Sequence, residues 1–549
     1  MSGIEYRRDV GGWLVRWNAA LAERAARDGD WVNRTIAQLA ESRVEKQPDR
    51  VLLIDGDRAL TAAELYGKAQ RLAGWMRDIG LKEGNVISFQ LPNWWEAAVI
   101  DLAASMIGVV VNPIVPINRD AEVGYMLGES KSHVIFIPEV FRKFDYAAMM
   151  RRILPLLANP PRVVVVRGAA CEFESFDAVL DIAQPLVAPL AVDPNAVRLL
   201  MYTSGTTGRP KGVLHSHNSI LADCVKMQPV MRMTDKDLTF CPSPLTHVTG
   251  YLWLLNMPWY GNVPAVMIDI WEPRRALELL KRHRCSFMLG ATAFLQDIVM
   301  VAREQNERLD ALRYYLCGGA AVSPSLIYEA AELFPNCIPW RNFGATEVPT
   351  MTQCPASRAD IRFGAETDGL PYRAEVKVVD LVTGLPVPEG EEGEILAREP
   401  SMALGYARAE DNEGAYDEDG FFRMGDLVRI VEQGRILCTG RKKDLIIRSG
   451  ENISAKEIED VLFRSAKVID AAVVAMPSKK TGEAICAFVV VKPGESLDLA
   501  EVSGMMQAAG LARQKTPEHV QLIDELPKTP SGKVRKDQLR KMAINFAFN

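Results

Sequence analysis

Asn85-Val-Ile-Ser-Phe-Gln-Leu91, then Pro92-Asn93 opening a helical run with Trp94 and Trp95, then Val109-Val-Val-Asn-Pro113: this stretch reads as strand, helix, strand. The pattern recurs at Val134-Ile-Phe-Ile-Pro138 and Arg162-Val-Val-Val-Val-Arg167, and at Ser286-Phe-Met-Leu-Gly290 after a helical run from Pro273 to Arg284. Such alternation predicts an α/β layered architecture with a largely parallel sheet. A Pro/Ala-rich stretch, Ala183 to Pro194, reads as a surface connector. From about residue 374 the texture turns β-rich, with Glu375-Val-Lys-Val-Val379, Gly393-Glu-Ile-Leu396, Phe421-Phe-Arg423 and Arg435-Ile-Leu-Cys438. After Gly440 a last block, with a helix at Ala455 to Arg464 and strands at Val468 to Ala475 and Ile485 to Val491, is long enough for a small separate α+β domain.

A chain of 549 residues, 48% hydrophobic and 24% charged, is globular and too long for a single core, so two or more domains are expected. The net charge of -6 argues against a nucleic-acid or anionic-membrane partner, which needs a dominant positive field. An anionic ligand must therefore be gripped locally. Nine cysteines without a CxxC pair fit neither a disulfide framework nor a zinc site, and suit a reducing compartment. Met1 to Asp9 offers no apolar run for a signal peptide, and the apolar stretches near 96–116 and 250–271 are interrupted by Asp101, Asn112, Asn256, Pro258 and Asp269. A cytoplasmic protein with no integral membrane span is expected, and a homodimer is left open.

Tyr202-Thr-Ser-Gly-Thr-Thr-Gly-Arg-Pro-Lys-Gly212 packs hydroxyls, glycines and cations into eleven positions. That composition suits phosphate. Glycines 205 and 208 let backbone N–H groups approach an anion, Thr203, Ser204, Thr206 and Thr207 add hydroxyls, and Lys211 adds a mobile charge. The preceding Val197 to Tyr202 reads as a strand, so the loop is expected to leave a sheet edge. It is not a Walker loop, because Pro210 precedes the lysine and Gly212 follows it, a pattern that favours a flexible lid over a rigid cradle. By itself the loop would also pass for a solvated turn.

Five further segments follow in order: Leu316-Cys-Gly-Gly-Ala-Ala321, Asn342-Phe-Gly-Ala-Thr-Glu347, Phe421-Phe-Arg-Met-Gly-Asp426, Gly440-Arg-Lys-Lys-Asp-Leu-Ile-Ile-Arg-Ser-Gly-Glu451 and Pro530-Ser-Gly-Lys-Val-Arg535. With the Thr/Ser/Gly loop, the chain resembles the adenylate-forming superfamily of acyl- and aryl-CoA synthetases, peptide-synthetase adenylation domains and firefly luciferase, over roughly residues 35 to 540. The resemblance implies an N-terminal AMP- and acyl-binding domain over 1–440, built of parallel α/β layers plus a β-rich subdomain, a hinge at 441–445, and a mobile lid over 446–549. ATP, Mg²⁺ and CoA are the implied cofactors.

A carboxylate attacking the α-phosphorus of ATP brings two anions together, so positioned cations are needed. The resemblance implies that the 203–211 loop wraps the β- and γ-phosphates, that Glu347 ligates Mg²⁺ and that Thr346 contacts the α-phosphate. It puts adenine between Gly318, Gly319 and Ala320 on one side and Phe343 on the other, beside Gly344, with Asn342 reading the amino group. Asp426 would accept from both ribose hydroxyls, assisted by Arg441. Lys533 would bridge carboxylate and α-phosphate, and Lys443 would be the pivot that withdraws it and brings up Ser449, Gly450 and Glu451 for the thiol step. His215 and His217 form an HxH pair without a third ligand, and are expected to be structural.

His247, in Pro244-Leu-Thr-His-Val-Thr-Gly250, resembles the family's gate beside the acid carboxylate. Val248 follows it, where relatives activating amino or hydroxybenzoic acids carry a polar residue. An apolar side chain would leave such a substituent unpaired, at about 1–3 kcal/mol. An apolar acid of medium-chain, alicyclic or aromatic type is therefore expected, with Trp253, Phe294 and Leu295 as candidate walls. The expected activity is AMP-forming acid:CoA ligation. The alternatives are acyl transfer to a carrier protein and a nucleotide-binding regulator without catalysis.

Overall fold

A computed structural model describes residues 4–169, 172–203, 209–319, 322–449, 451–529 and 533–546. The stretch over 85–113 forms the strand Val86–Phe89, the helix Trp95–Met106 and the strand Val110–Pro113, paired parallel. These strands are central in an eight-stranded sheet that runs Glu174–Ser175, Arg162–Val166, Val134–Pro138, Val86–Phe89, Val110–Pro113, Val197–Thr203, Lys211–Ser216, Gly405–Tyr406. Pairing is parallel through Val197–Thr203, then antiparallel to the end. A sheet covered on both faces accounts for the nearly unbroken apolar strands.

A second, seven-stranded sheet runs Ile338–Asn342, Tyr314–Gly318, Phe287–Gly290, Thr239–Phe240, Ala265–Met267, Val51–Asp55, Arg58–Thr61, parallel except for its last pair. All twelve residues of the helix Trp95–Met106 are buried. One apolar core joins it to residues of both sheets, including Ile87, Phe89, Leu199, Leu53, Phe287 and Leu289. The layers thus share one interior.

The β-rich texture is a four-stranded antiparallel sheet, Glu375–Val379, Glu392–Arg398, Phe422–Val431 and Arg435–Arg441. Beyond the short helix Lys442–Asp444 lies a five-stranded sheet of Glu451–Ser454, Leu445–Arg448, Gly482–Val491, Val468–Ser478 and His519–Leu522. The helices Ala455–Leu462 and Lys536–Ile544 pack on it, each side with its own apolar cluster. Two helices end before the residue expected. Pro273–Arg282 stops because Arg284 takes a left-handed φ of 51°, and Ala455–Leu462 is followed by its C-cap Phe463.

The phosphate-loop reading needs one correction of place. Val197–Thr203 is an interior strand, flanked by Val110–Pro113 and Lys211–Ser216. The loop joins two antiparallel strands in register Thr203 to Lys211, rather than leaving an edge. Ser204, Gly205, Thr206, Thr207 and Gly208 themselves lie outside the described residues, as do Ala320 and Gly450.

Candidate active site

Two adjacent parallel strands, Tyr314–Gly318 and Ile338–Asn342, end side by side with Gly318 opposite Asn342. Ligands of α/β sheets gather at such carboxyl ends. A Cβ on Gly318 would lie 2.9 Å from the Asn342 carbonyl oxygen, and Gly319 has a φ of 85°, so glycine is required at both for different reasons. The Asn342 Oδ1 is buried with no hydrogen-bond partner among the described residues, an acceptor open to a donor such as an amino group. Phe343 is 8% exposed, and with Asn342, Gly344 and Thr346 it borders a cavity of about 1340 Å³.

Thr346 and Glu347 are held from behind. His215 Nε2 meets the Thr346 carbonyl oxygen at 2.8 Å, and its Nδ1 meets Ser219 Oγ at 3.0 Å. Burial pushes the His215 imidazole down to about 4, so it is neutral and donates that hydrogen bond. His217 is likewise buried, its Nδ1 accepting from the Ile36 amide at 3.3 Å. The Tyr406 hydroxyl donates to Glu347 Oε1 at 2.7 Å, and the Ala403 amide donates to the Glu347 carbonyl at 2.8 Å. Glu347 forms no ion pair among the described residues, which also contain no cluster of three acidic, histidine or cysteine side chains fit for a metal. A single carboxylate completed by phosphate oxygens is how Mg²⁺ is commonly held, so Glu347 fits that ion. Thr203 borders the large cavity with Arg209 and Pro210. Lys211 instead sits 3.5 Å from Asp411 and over the Tyr406 ring.

Asp426 and Arg441, fifteen positions apart, are cross-strand partners in the antiparallel sheet and form an ion pair at 2.9 Å. Both border the large cavity. Burial raises the Asp426 carboxyl, and Arg441 works in the opposite direction. Next to them, Lys442 Nζ binds Glu394 at 3.0 Å, while Asp444 binds Arg540 of the last helix. Lys443 therefore lies between a residue anchored to the large body and a residue anchored to the small one.

Lys533 enters this cleft from the C-terminal block. Its Cε would stand 3.8 Å from a Cβ at Gly319, and it borders both the large cavity and a small one of about 70 Å³. Burial, then the Arg441 charge, pushes its ammonium down to about 8, although Asp426 and Glu347 oppose the shift. Ser449 and Glu451 border neither cavity. The Ser449 amide binds the Thr481 carbonyl, and Glu451 accepts from Gln514 at 3.0 Å.

The small cavity is lined by Val248, Leu252, Ala291, Leu316 and Pro349, with Ser243, Thr249 and Thr350 as hydroxyls and His247 and Lys533 where it meets the large one. His247 Nδ1 accepts from the Thr249 amide at 3.3 Å, and burial plus the Lys533 charge pushes the ring down to about 3. It is neutral. Trp253 packs elsewhere, 1% exposed in the main core, because the segment Tyr251–Asn256 is a π-helix that turns Leu252 rather than Trp253 toward the cavity. Phe294 borders neither cavity but packs on Trp271 at 4.5 Å between ring centroids, and Leu295 is fully buried in the second core. Sequence reasoning missed Tyr406, Leu252 and the contact of His215 with Thr346, since each depends on a residue far along the chain.

The sequence pattern of the AMP-binding enzyme family matches residues 40–407, and that of the AMP-binding enzyme C-terminal domain matches residues 457–533. The medium-chain fatty-acid–CoA ligase of Escherichia coli (strain K12) is 36% identical, over 93% of this chain and 91% of its own length. A salicylyl-CoA synthase / salicylate adenylyltransferase of Streptomyces sp is 31% identical over 96% of this chain and 97% of its own. Among solved structures, ATP-bound MatB from Rhodopseudomonas palustris superposes with a TM-score of 0.83 at 24% identity, covering 93% of this chain and 99% of that one, which supports the same fold. With these matches and the cleft described, the chain belongs to the AMP-binding, adenylate-forming family of acid ligases, with its N- and C-terminal parts both present.

Proposed function

We propose that this protein activates an apolar monocarboxylic acid of medium-chain, alicyclic or aromatic type with ATP, and then passes the acyl group to CoA. The observation that carries the reading is the small cavity, which Val248, Leu252, Ala291 and Leu316 line on their part and to which, among the described residues, Lys533 brings the one charged side chain. A carboxylate there meets its counter-charge, while the rest of the acid meets Val248, Leu252, Ala291 and Leu316. A second charged substituent would find no counter-charge besides Lys533 among the described residues that line it.

In the first half-reaction the acid oxygen bonds to the α-phosphorus and the bond to the pyrophosphate oxygen breaks. Lys533 offsets the charge of both reactants, Asp426 and Arg441 hold the ribose side, and Asn342 orients adenine. Neutral His247 packs beside the carboxylate without competing for it. Glu347 would hold Mg²⁺, which supplies charge neutralisation on the phosphates. In the second half-reaction the CoA thiol sulfur bonds to the acyl carbon and AMP leaves, after a turn about Lys443 within a hinge at 441–445 has withdrawn Lys533 and brought up Ser449, Gly450 and Glu451. ATP–pyrophosphate exchange across octanoate, cyclohexanecarboxylate, benzoate and salicylate tests the first step, and thioester formation with free CoA the second. Exchange with salicylate alone would refute the apolar-acid reading, and absence of thioester with free CoA would favour a carrier-protein acceptor.

A further inference from the structure

Residues Thr346 to Met351 form one turn shared by both cavities, and the turn is strained. Thr350, a β-branched residue, has a φ of 38°, a conformation such side chains rarely adopt. Thr346 borders both cavities, and Pro349 and Thr350 border the small one. Something must hold the turn in that form.

Two independent anchors do so, both reached from the strand Lys211–Ser216 and the helix His217–Val230 that follows it. The first is His215, bonded to the Thr346 carbonyl. The second is Lys226, whose ammonium donates to the Pro349 carbonyl at 2.9 Å, to both oxygens of Glu399 at 2.9 and 2.8 Å, and to Ser401 Oγ at 3.1 Å. Asp223 stands 3.3 Å from the same ammonium. Lys226, Asp223 and Glu399 are all under 8% exposed, so one cation and two carboxyls share a dry site. Burial raises both carboxyls, and the Lys226 ammonium opposes that rise. A buried charge held this way is costly to strand and fixes geometry more than it adds stability.

We propose that Lys226 is a positioning residue for the acid and His215 a positioning residue for the nucleotide, acting through opposite ends of this single turn. This rests on the assignment above of the small cavity to the acid. Lys226 touches neither cavity. Its ion cluster pulls the Pro349 carbonyl outward and so sets the wall that Pro349 and Thr350 present to the acid. His215 fixes Thr346, and Glu347 has its own supports in Tyr406 and Ala403, so the nucleotide end does not depend on Lys226.

The test is a crossed pair of variants in the full-length protein, with octanoate and benzoate as probes. Lys226→Met should raise the KM for the acid about tenfold, as expected for loss of a charged hydrogen bond, with the KM for ATP within about twofold. His215→Phe should do the reverse, and His215→Gln, which keeps a donor, should restore part of the loss. Glu399→Gln, milder than Lys226→Met, should shift the acid KM in the same direction if Lys226→Met folds poorly. Equal shifts of both KM values in both variants, or none in either, would overturn the proposal. Hydrogen exchange separates it from the functional reading. If wild-type protein activates no probe acid, that reading fails, yet Lys226→Met must still speed exchange at Val348, Thr350 and Met351 and His215→Phe at Ala345, Thr346 and Glu347. Unchanged exchange in both variants would sink the anchoring claim.

Discussion

The two ends of the cleft are built in opposite ways. The end proposed to take the nucleotide is assembled from residues that stand in short contiguous runs and are brought together by strand register, as with Gly318 opposite Asn342 and Asp426 opposite Arg441. The small cavity, proposed to take the acid, is assembled from single residues drawn from the 243–252 segment, Ala291, Leu316 and the 344–350 turn, apolar ones such as Val248, Leu252 and Leu316 among hydroxyls. Polar recognition leaves a mark in sequence because its residue types are costly to bury without a purpose. Apolar recognition leaves almost none, because a wall residue and a core residue are chemically alike. Among the described residues, Lys533 is the one charged group that borders both cavities.

That contrast can be broken most forcefully at Lys533. Lys533→Ala should lower acyl-adenylate formation by about 10³-fold, the scale of losing a positioned transition-state charge. Thioester synthesis from a preformed acyl adenylate and CoA should survive, and equal loss of both steps would remove the lid from the scheme. Val248→Asp comes next. A carboxylate in the apolar wall should depress turnover of octanoate by about 10²-fold, roughly 3 kcal/mol, with ATP binding unchanged. An unaltered acid profile would place Val248 outside the site.

Asp426→Asn sharpens the nucleotide end alone, raising the KM for ATP about 30-fold through one weakened charged hydrogen bond while leaving acid selectivity unchanged. Competition between acids at saturating ATP would read this out. The smallest effect is a pH dependence. With the Lys533 ammonium pushed down to about 8, it is charged below pH 8 and loses its proton as pH rises through that value. Because kcat/KM reports the free enzyme, it should fall about tenfold per pH unit above 8 in the adenylation step. His247, pushed down to about 3, stays neutral throughout and should add no limb between pH 5 and 9. A profile flat to pH 10 would mean that the charge of Lys533 is not required.

Much of the layered fold was legible from one repeated signal. The 85–113 strand, helix and strand, the strands at 134–138 and 162–166, and the β-rich texture after 374 all form as the residues imply. The split into two parallel sheets sharing one core was not, since Val51–Asp55 pairs with Ala265–Met267 across more than two hundred residues and no local pattern encodes that pairing. Phe294 and Trp253 mark the same limit at the site. Both were reasonable cavity walls by type, and both are packed against other side chains, Phe294 on Trp271 and Trp253 in the main core.

What the residues alone determined is the chemistry on offer. A loop of hydroxyls, glycines and cations suits phosphate by its residue types, and the order of that loop and five further polar segments along the chain carries the resemblance to the adenylate-forming family that implies an acid ligase. Tertiary structure decided everything that depends on distance through space: that Lys533 reaches Gly319, that Leu252 rather than Trp253 lines the small cavity, and that Lys226 and His215 grip the two ends of one strained turn. The reason is physical. Hydrogen-bonding capacity is a property of a residue, whereas cavity shape and electrostatic environment are properties of the packing around it.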